Sequence, residues 1–246
     1  MEIKPIWTET IDVKPYETDF QNFWKPSNFF QAMQHISSNH SSSLGFDWKF
    51  LMERDQAWVL SRVKIYFWNY PAAGETVVVR TWPKGIQQKL FFIRDFELEY
   101  PDGQKVASAS TAWLLINPKT RRLLSPQALG SNLPENSGRF ALDETLNKIN
   151  PPEDLPEQHK VQARYSALDL MGHVNNARYV EWITDSFSVE DYTQRKLAWL
   201  QINYINEVKP GETVSICLDR QSGLGYGANL DAGNKSFEMA LGWENK

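Results

Sequence analysis

The chain has 246 residues, enough for one large domain or two small ones; 41% are hydrophobic and 23% charged, as in an ordinary folded protein. A net charge of −4 gives no reason to expect nucleic acid, and a single cysteine, Cys217, excludes an internal disulfide and a multi-cysteine metal site. No apolar run approaches the roughly 18 residues of a membrane span, and the opening Met1-Glu2-Ile3-Lys4-Pro5 has neither an apolar signal region nor a transit composition, so a cytoplasmic protein is expected.

Residues 8–16 alternate polar and apolar, which predicts a strand. Ser27 is placed to cap a helix carrying Phe30, Met33 and Ile36 on one face, with His40 as a further member, and Gly45 to end it. A second helix is predicted over Asp47–Arg54. His35 and His40 read as surface or packed residues, since no acid or cysteine stands at ligand spacing. From Ala57 the chain turns to strands: one through Phe67, a turn at Pro71-Ala72-Ala73-Gly74, then Glu75–Trp82, Lys89–Tyr100 and Val106–Ile116. Asp102-Gly103 reads as a hairpin turn, and the turn at Asn117–Arg122 carries three basic residues. Residues 123–157 have linker chemistry, rich in proline, glycine and serine, with a short helical piece near Leu142–Ile149.

The second half repeats the first. Lys160–Tyr165 alternates as a strand, and Asp169-Leu170-Met171-Gly172-His173-Val174-Asn175-Asn176 leads into a helix over 175–187 whose apolar face carries Tyr179, Trp182, Ile183 and Phe187. Either Asn175 or Asn176 can cap that helix. Strands follow at Leu197–Ile205 and Glu212–Leu218, with Lys209-Pro210-Gly211 between them. Gly-Glu-Thr-Val stands at 74–77 and again at 211–214, each time after a proline turn, which argues for an internal duplication. Each copy reads as one long helix laid on an antiparallel sheet, an α+β layout. Gly223, Gly225, Gly227 and Gly233 are read as turns between the last strands; their spacing is not that of a phosphate loop, and no cofactor is expected.

An acid, a glycine, a histidine and two asparagines ahead of an aromatic helix form a specific string. It sets Asp169 and His173 beside the positive end of a helix, where developing negative charge is favoured. With the Gly-Glu-Thr-Val turns, Trp58–Arg62, Arg80-Thr81-Trp82, Ser110–Trp113 and Asn117–Leu123, it resembles the acyl-acyl carrier protein (acyl-ACP) thioesterases of the hotdog fold, over nearly the whole chain. The resemblance implies a tandem, double hotdog: residues 1–135 as the acyl-pocket half, 136–157 as linker and 158–246 as the catalytic half. By motif position it implies Asp169, His173 and Glu207 as catalytic residues. The family asparagine falls on Met171, and the cysteine that follows the glutamate in plant members falls on Val208, so a nucleophilic cysteine has no place here.

Thioester hydrolysis needs an activated water or a carboxylate nucleophile, and donors for the oxyanion. Asp169 or Glu207 can supply the first, and N–H groups at Asn175 and Asn176 the second. The matching loop of the first half, Asp19–Lys25, has an acid and no histidine, so one active site per chain is expected. Phe29, Phe30, Met33 and Trp58 are the acyl-pocket candidates, and Lys119, Arg121 and Arg122, with Lys84 and Lys89, the candidates for meeting an acidic carrier protein. Neither nucleic acid nor membrane is expected as a partner, and analogy with other hotdog proteins allows a homodimer. The competing readings are a non-catalytic acyl-binding double hotdog and an acyl-CoA thioesterase.

Overall fold

Gly45 ends the first long helix as its position predicts. Its φ is +82°, its N–H bonds to Ser42, and the N–H of Phe46 reaches back to Ser41, the paired bonds of a Schellman cap. This computed structural model describes residues 4–130, 133–136 and 138–246; Ser131, Asn132 and Ser137 of the expected linker lie outside the described residues. The helix, α1 (Pro26–Ser43), begins two residues earlier than the Ser27 cap implied. Proline suits a first helical position because its missing N–H would have no partner there. Ser27 therefore lies inside the first turn, where its hydroxyl meets Asn28 at 3.4 Å.

The chain forms two compact units, one running to Trp24 and resuming over Gln31–Leu146, the other comprising Lys25–Phe30 and Asn147–Lys246. The first holds β1 (Trp7–Asp12), α2 (Trp48–Met52), β2 (Ala57–Phe67), β3 (Thr76–Gln87), β4 (Phe91–Glu99) and β5 (Lys105–Ile116), its strands in the order β1-β3-β4-β5-β2. The second holds β6 (Glu157–Gln162), α3 (Asn176–Thr184), α4 (Val189–Gln194), β7 (Arg195–Tyr204), β8 (Thr213–Leu218), β9 (Leu224–Asn229) and β10 (Asn234–Asn245), in the order β6-β8-β9-β10-β7. The two orders are the same topology, and the strand pairs within each unit are antiparallel. In the first unit His40 of α1 stacks on Trp7 and meets Arg94 of β4 at 2.9 Å. In the second, Tyr179 of α3 packs edge-on against Tyr204 and Phe237.

The five strands of each unit arrange large and small residues in opposite ways. In the first, large residues on β4 face small ones on β5: Phe96 opposite Ala109 and Leu98 opposite Ala107. In the second the sizes are exchanged, with Gly225 of β9 opposite Met239 of β10 and Gly227 opposite Phe237. Gly225 and Gly227 are therefore strand residues, not turns. A Cβ on Gly227 would stand 2.1 Å from the Phe237 ring, and one on Gly225 would stand 2.4 Å from Met239. Gly223 (φ +71°) and Gly233 (φ +68°) do sit in turns.

No helix forms over 142–149. Leu142, Leu146 and Ile149 are buried, but the backbone is irregular. Its carbonyls are taken by the sheets instead: Leu142 by Lys84 (2.6 Å), Leu146 by Arg62 (2.5 Å) and Asn147 by Gln201 (2.8 Å). A carbonyl already bonded to a side chain gains little from a helical partner, and helical spacing alone does not separate a helix from a buried strap. The helix expected to reach Phe187 stops at Thr184, because Ser188 and Asp191 form a capping box that starts α4.

Candidate active site

Leu168 and Val174 pair across a tight loop closed by two backbone bonds, Asp169 N–H to the His173 carbonyl and Gly172 N–H to the Asp169 carbonyl, both 3.0 Å. The Asp169 carboxylate accepts from the Met171 N–H at 2.9 Å, an Asx turn. Gly172 has φ +78° with open space where a Cβ would stand, so glycine is needed there for its backbone and not for room. Of the two asparagines that could cap the helix, Asn175 does so, its side-chain oxygen accepting from Ala177 N–H at 2.9 Å. The Val174 N–H bonds to the Val208 carbonyl at 3.1 Å, which ties the loop to the segment after β7 and brings Glu207 alongside.

His173 stands between two carboxylates. Its Nδ1 is 3.7 Å from Asp169 and its Nε2 is 3.6 Å from Glu207, and all three side chains are between 25% and 30% exposed. The structure thus brings the three motif residues together although Glu207 lies 34 residues further along the chain than His173. These separations are loose for hydrogen bonds, as catalytic contacts often are before substrate closes them. Met171 lies at the exposed rim of the loop and contributes its N–H.

The helix terminus is less open than expected. The Asn175 N–H is taken by the Ala167 carbonyl at 2.9 Å, and Ala177 N–H by the cap. The N–H groups of Val174 and Arg178 are also bonded within the chain, to the Val208 and Asn175 carbonyls. Beneath the site, Tyr179 Oη accepts from the buried Val208 N–H at 3.3 Å, and Tyr204 O–H donates to the Asn176 carbonyl at 3.0 Å. Burial, then the nearby carboxylates of Glu207, Asp169 and Glu212, push the Tyr179 phenol well up, so it stays neutral. From sequence these tyrosines were legible only as apolar helix and strand positions; the hydroxyls were the missed signal.

The first unit makes the same loop. Thr18 pairs with Trp24, Asp19 N–H bonds to Phe23, Asn22 takes the left-handed turn at φ +64°, and the Asp19 carboxylate accepts from Gln21 and Phe23. Trp24 N–H reaches the Pro71 carbonyl as Val174 N–H reaches Val208. By this bonding Phe23 stands where His173 does, and Tyr70 where Glu207 does; their rings are 6.0 Å apart. The first loop thus has neither imidazole nor second carboxylate.

Of the pocket candidates, Phe29, Phe30 and Met33 are buried on α1. Trp58 meets Phe92 edge-on at 4.8 Å, beside a cluster of Phe46, Leu51, Leu115 and Leu129. Among the basic candidates Lys84 drops out. It is buried against Asp95 at 3.1 Å and holds the strap over 142–149, so it cannot meet a partner. Lys119 is paired with Asp55 at 2.6 Å on the surface. Among the described residues no group of three or more metal-ligating side chains is gathered, and no helix is long and apolar enough to cross a membrane.

The chain is similar to known proteins along nearly its whole length. The family model of the acyl-ACP thioesterase N-terminal domain matches residues 4–127, and that of the C-terminal domain residues 151–244. Oleoyl-acyl carrier protein thioesterase 1 of Arabidopsis thaliana is 25% identical over 89% of this chain and 65% of its own length. Palmitoyl-acyl carrier protein thioesterase of Cuphea hookeriana is 29% identical over 81% of this chain and 50% of its own. The chain thus spans between half and two-thirds of the length of these two chloroplastic relatives. An acyl-ACP thioesterase from Bacteroides thetaiotaomicron superposes with a TM-score of 0.89 at 25% identity, covering 98% of both chains. The 12:0-ACP thioesterase from Umbellularia californica, at 21% identity, shares the fold with a TM-score of 0.81 over 99% of this chain and 98% of its own. The architecture is a tandem hotdog.

Proposed function

Because the chain belongs to the acyl-ACP thioesterase family, we propose that it hydrolyses the thioester of acyl-acyl carrier protein and releases a free fatty acid. The observation that carries this reading is the His173 imidazole flanked on both nitrogens by carboxylates, beside a capped helix terminus. We assign Glu207 as the general base. It takes a proton from a water whose oxygen attacks the carbonyl carbon. The C–S bond then breaks, and the proton passes through His173 to the departing thiolate. The Asn176 N–H faces the oxyanion. Asp169 orients His173 and shapes the loop. That division is supported by the first unit, where Asp19 makes the same Asx turn with no imidazole to serve. Phe29, Phe30, Met33 and Trp58 are the proposed acyl-pocket residues. The reading places the enzyme in the cytoplasm, where its one cysteine, the buried Cys217, stays reduced.

The test is a panel of acyl-ACPs of different chain length, each also offered as the CoA ester. Turnover of ACP esters that disappears in His173→Ala and Glu207→Gln supports the reading. Binding without turnover by the wild type would make this an acyl-binding protein, and faster turnover of the CoA esters would move it to another substrate class.

A further inference from the structure

We propose that Tyr179 is a positioning residue for Glu207, an inference that rests on the base assignment above. Its hydroxyl, on a ring buried in α3, accepts the N–H of Val208, the residue next to the base. Val208 is fully buried, and an unanswered N–H there would be free to turn the segment toward another acceptor. Tyr204 holds the opposite side, its O–H on the Asn176 carbonyl in the first turn of the same helix. Two hydroxyls thus tie the helix that follows the histidine loop to the segment that carries the carboxylate.

The first copy of the repeat supplies an independent control within the chain. Its matching positions are Phe29 for Tyr179, Phe67 for Tyr204 and Pro71 for Val208, as the shared loop bonds and turns align them. Proline has no N–H to donate and phenylalanine no oxygen to accept, so the donor and the acceptor are absent together. A buried ring is kept at each position in both copies, with Phe29 and Phe67 fully buried. The hydroxyls occur only in the copy that has the imidazole and the second carboxylate. Ring packing is therefore the structural requirement of the fold, and the hydroxyl is the addition that accompanies the site.

Because phenylalanine already fills both positions in the first copy, Tyr179→Phe is expected to fold. Its kcat on acyl-ACP should fall about tenfold with KM within about twofold, since a small misplacement of the base is felt in the reaction and not in binding. The deciding measurement is a cycle with the base. In a Glu207→Gln background, Tyr179→Phe should change the residual rate by less than about twofold, because the residue it positions no longer takes a proton. An unchanged kcat in the single variant, or the same fold-loss in both backgrounds, overturns the positioning role and leaves the base assignment standing. Full activity in Glu207→Gln alone overturns the base assignment, and the positioning role with it.

Discussion

At Asp19 and again at Asp169 the chain makes one turn: an aspartate accepts from the N–H two residues on, the backbone closes across five residues, and the chain enters a helix. What differs is the pair of side chains the turn presents. Phe23 and Tyr70 form an aromatic contact in the first unit, where His173 stands 3.6 Å from Glu207 in the second. The frame is thus repeated in both copies, whereas the proposed chemistry rests on two side chains found in the second alone. The aspartate common to both turns builds the frame and, by our proposal, in the second copy alone also orients an imidazole, whereas a residue that distinguishes the copies is the better candidate for the proton transfers.

The strongest way to break this comparison is to write one copy into the other. His173→Phe should lower kcat/KM on acyl-ACP about 10³-fold, the scale of losing an acid–base group, whereas Phe23→Leu should leave it within about twofold. Steady-state hydrolysis of both variants decides whether the sites are as unequal as their side chains.

Next in size is an acid effect confined to the first unit. His40 is buried between Arg94 and the Lys4 carbonyl, and burial, then Arg94, lowers its pKa from 6.5 to about 4. The fold holds this histidine neutral while the unfolded chain protonates it below pH 6.5. Its contribution to stability is therefore complete above that pH and is lost as pH falls toward about 4. Between about pH 7 and about pH 5 the loss should be about 2 kcal/mol, seen as a shift in the urea midpoint that His40→Gln removes.

The packing exchange between the two units predicts a change of similar size. Gly227→Ala drives a methyl into Phe237 and should cost about 1–3 kcal/mol, read as a lower Tm. Adding Phe237→Leu, which moves the pair toward the Leu98 and Ala107 arrangement of the first unit, should recover part of it. Smallest of all, Asp19→Ala should cost about 1 kcal/mol through its lost turn bonds with no change in kcat, while Asp169→Ala should lose a similar amount of stability and most of its activity. Equal kinetic effects of the two would remove the distinction between frame and site.

Much of the fold was legible because strands and turns announce themselves locally. The alternation from Ala57, the turns at Gly74, Gly103 and Gly211, and the cap at Gly45 depend on residues within a few positions of each other. The strap over 142–149 was not, because its carbonyls are bonded by Lys84, Arg62 and Gln201, which sequence spacing does not connect to it. Gly225 and Gly227 were misread as turns for the same reason. Their meaning lies in Met239 and Phe237 on the neighbouring strand.

By itself the sequence determined that a helix-on-sheet unit occurs twice, that the second copy carries an acid and an imidazole before its helix, and which family the whole resembles, all from patterns written along the chain. Only the tertiary structure decided that Glu207 meets His173, that Phe23 and Tyr70 hold the matching places, that Lys84 is buried against Asp95 and bonded to the strap, and that the Tyr179 and Tyr204 hydroxyls bond to Val208 and Asn176. Those relations join residues tens of positions apart, and distance through space between them is set by strand pairing and packing, which no local pattern encodes.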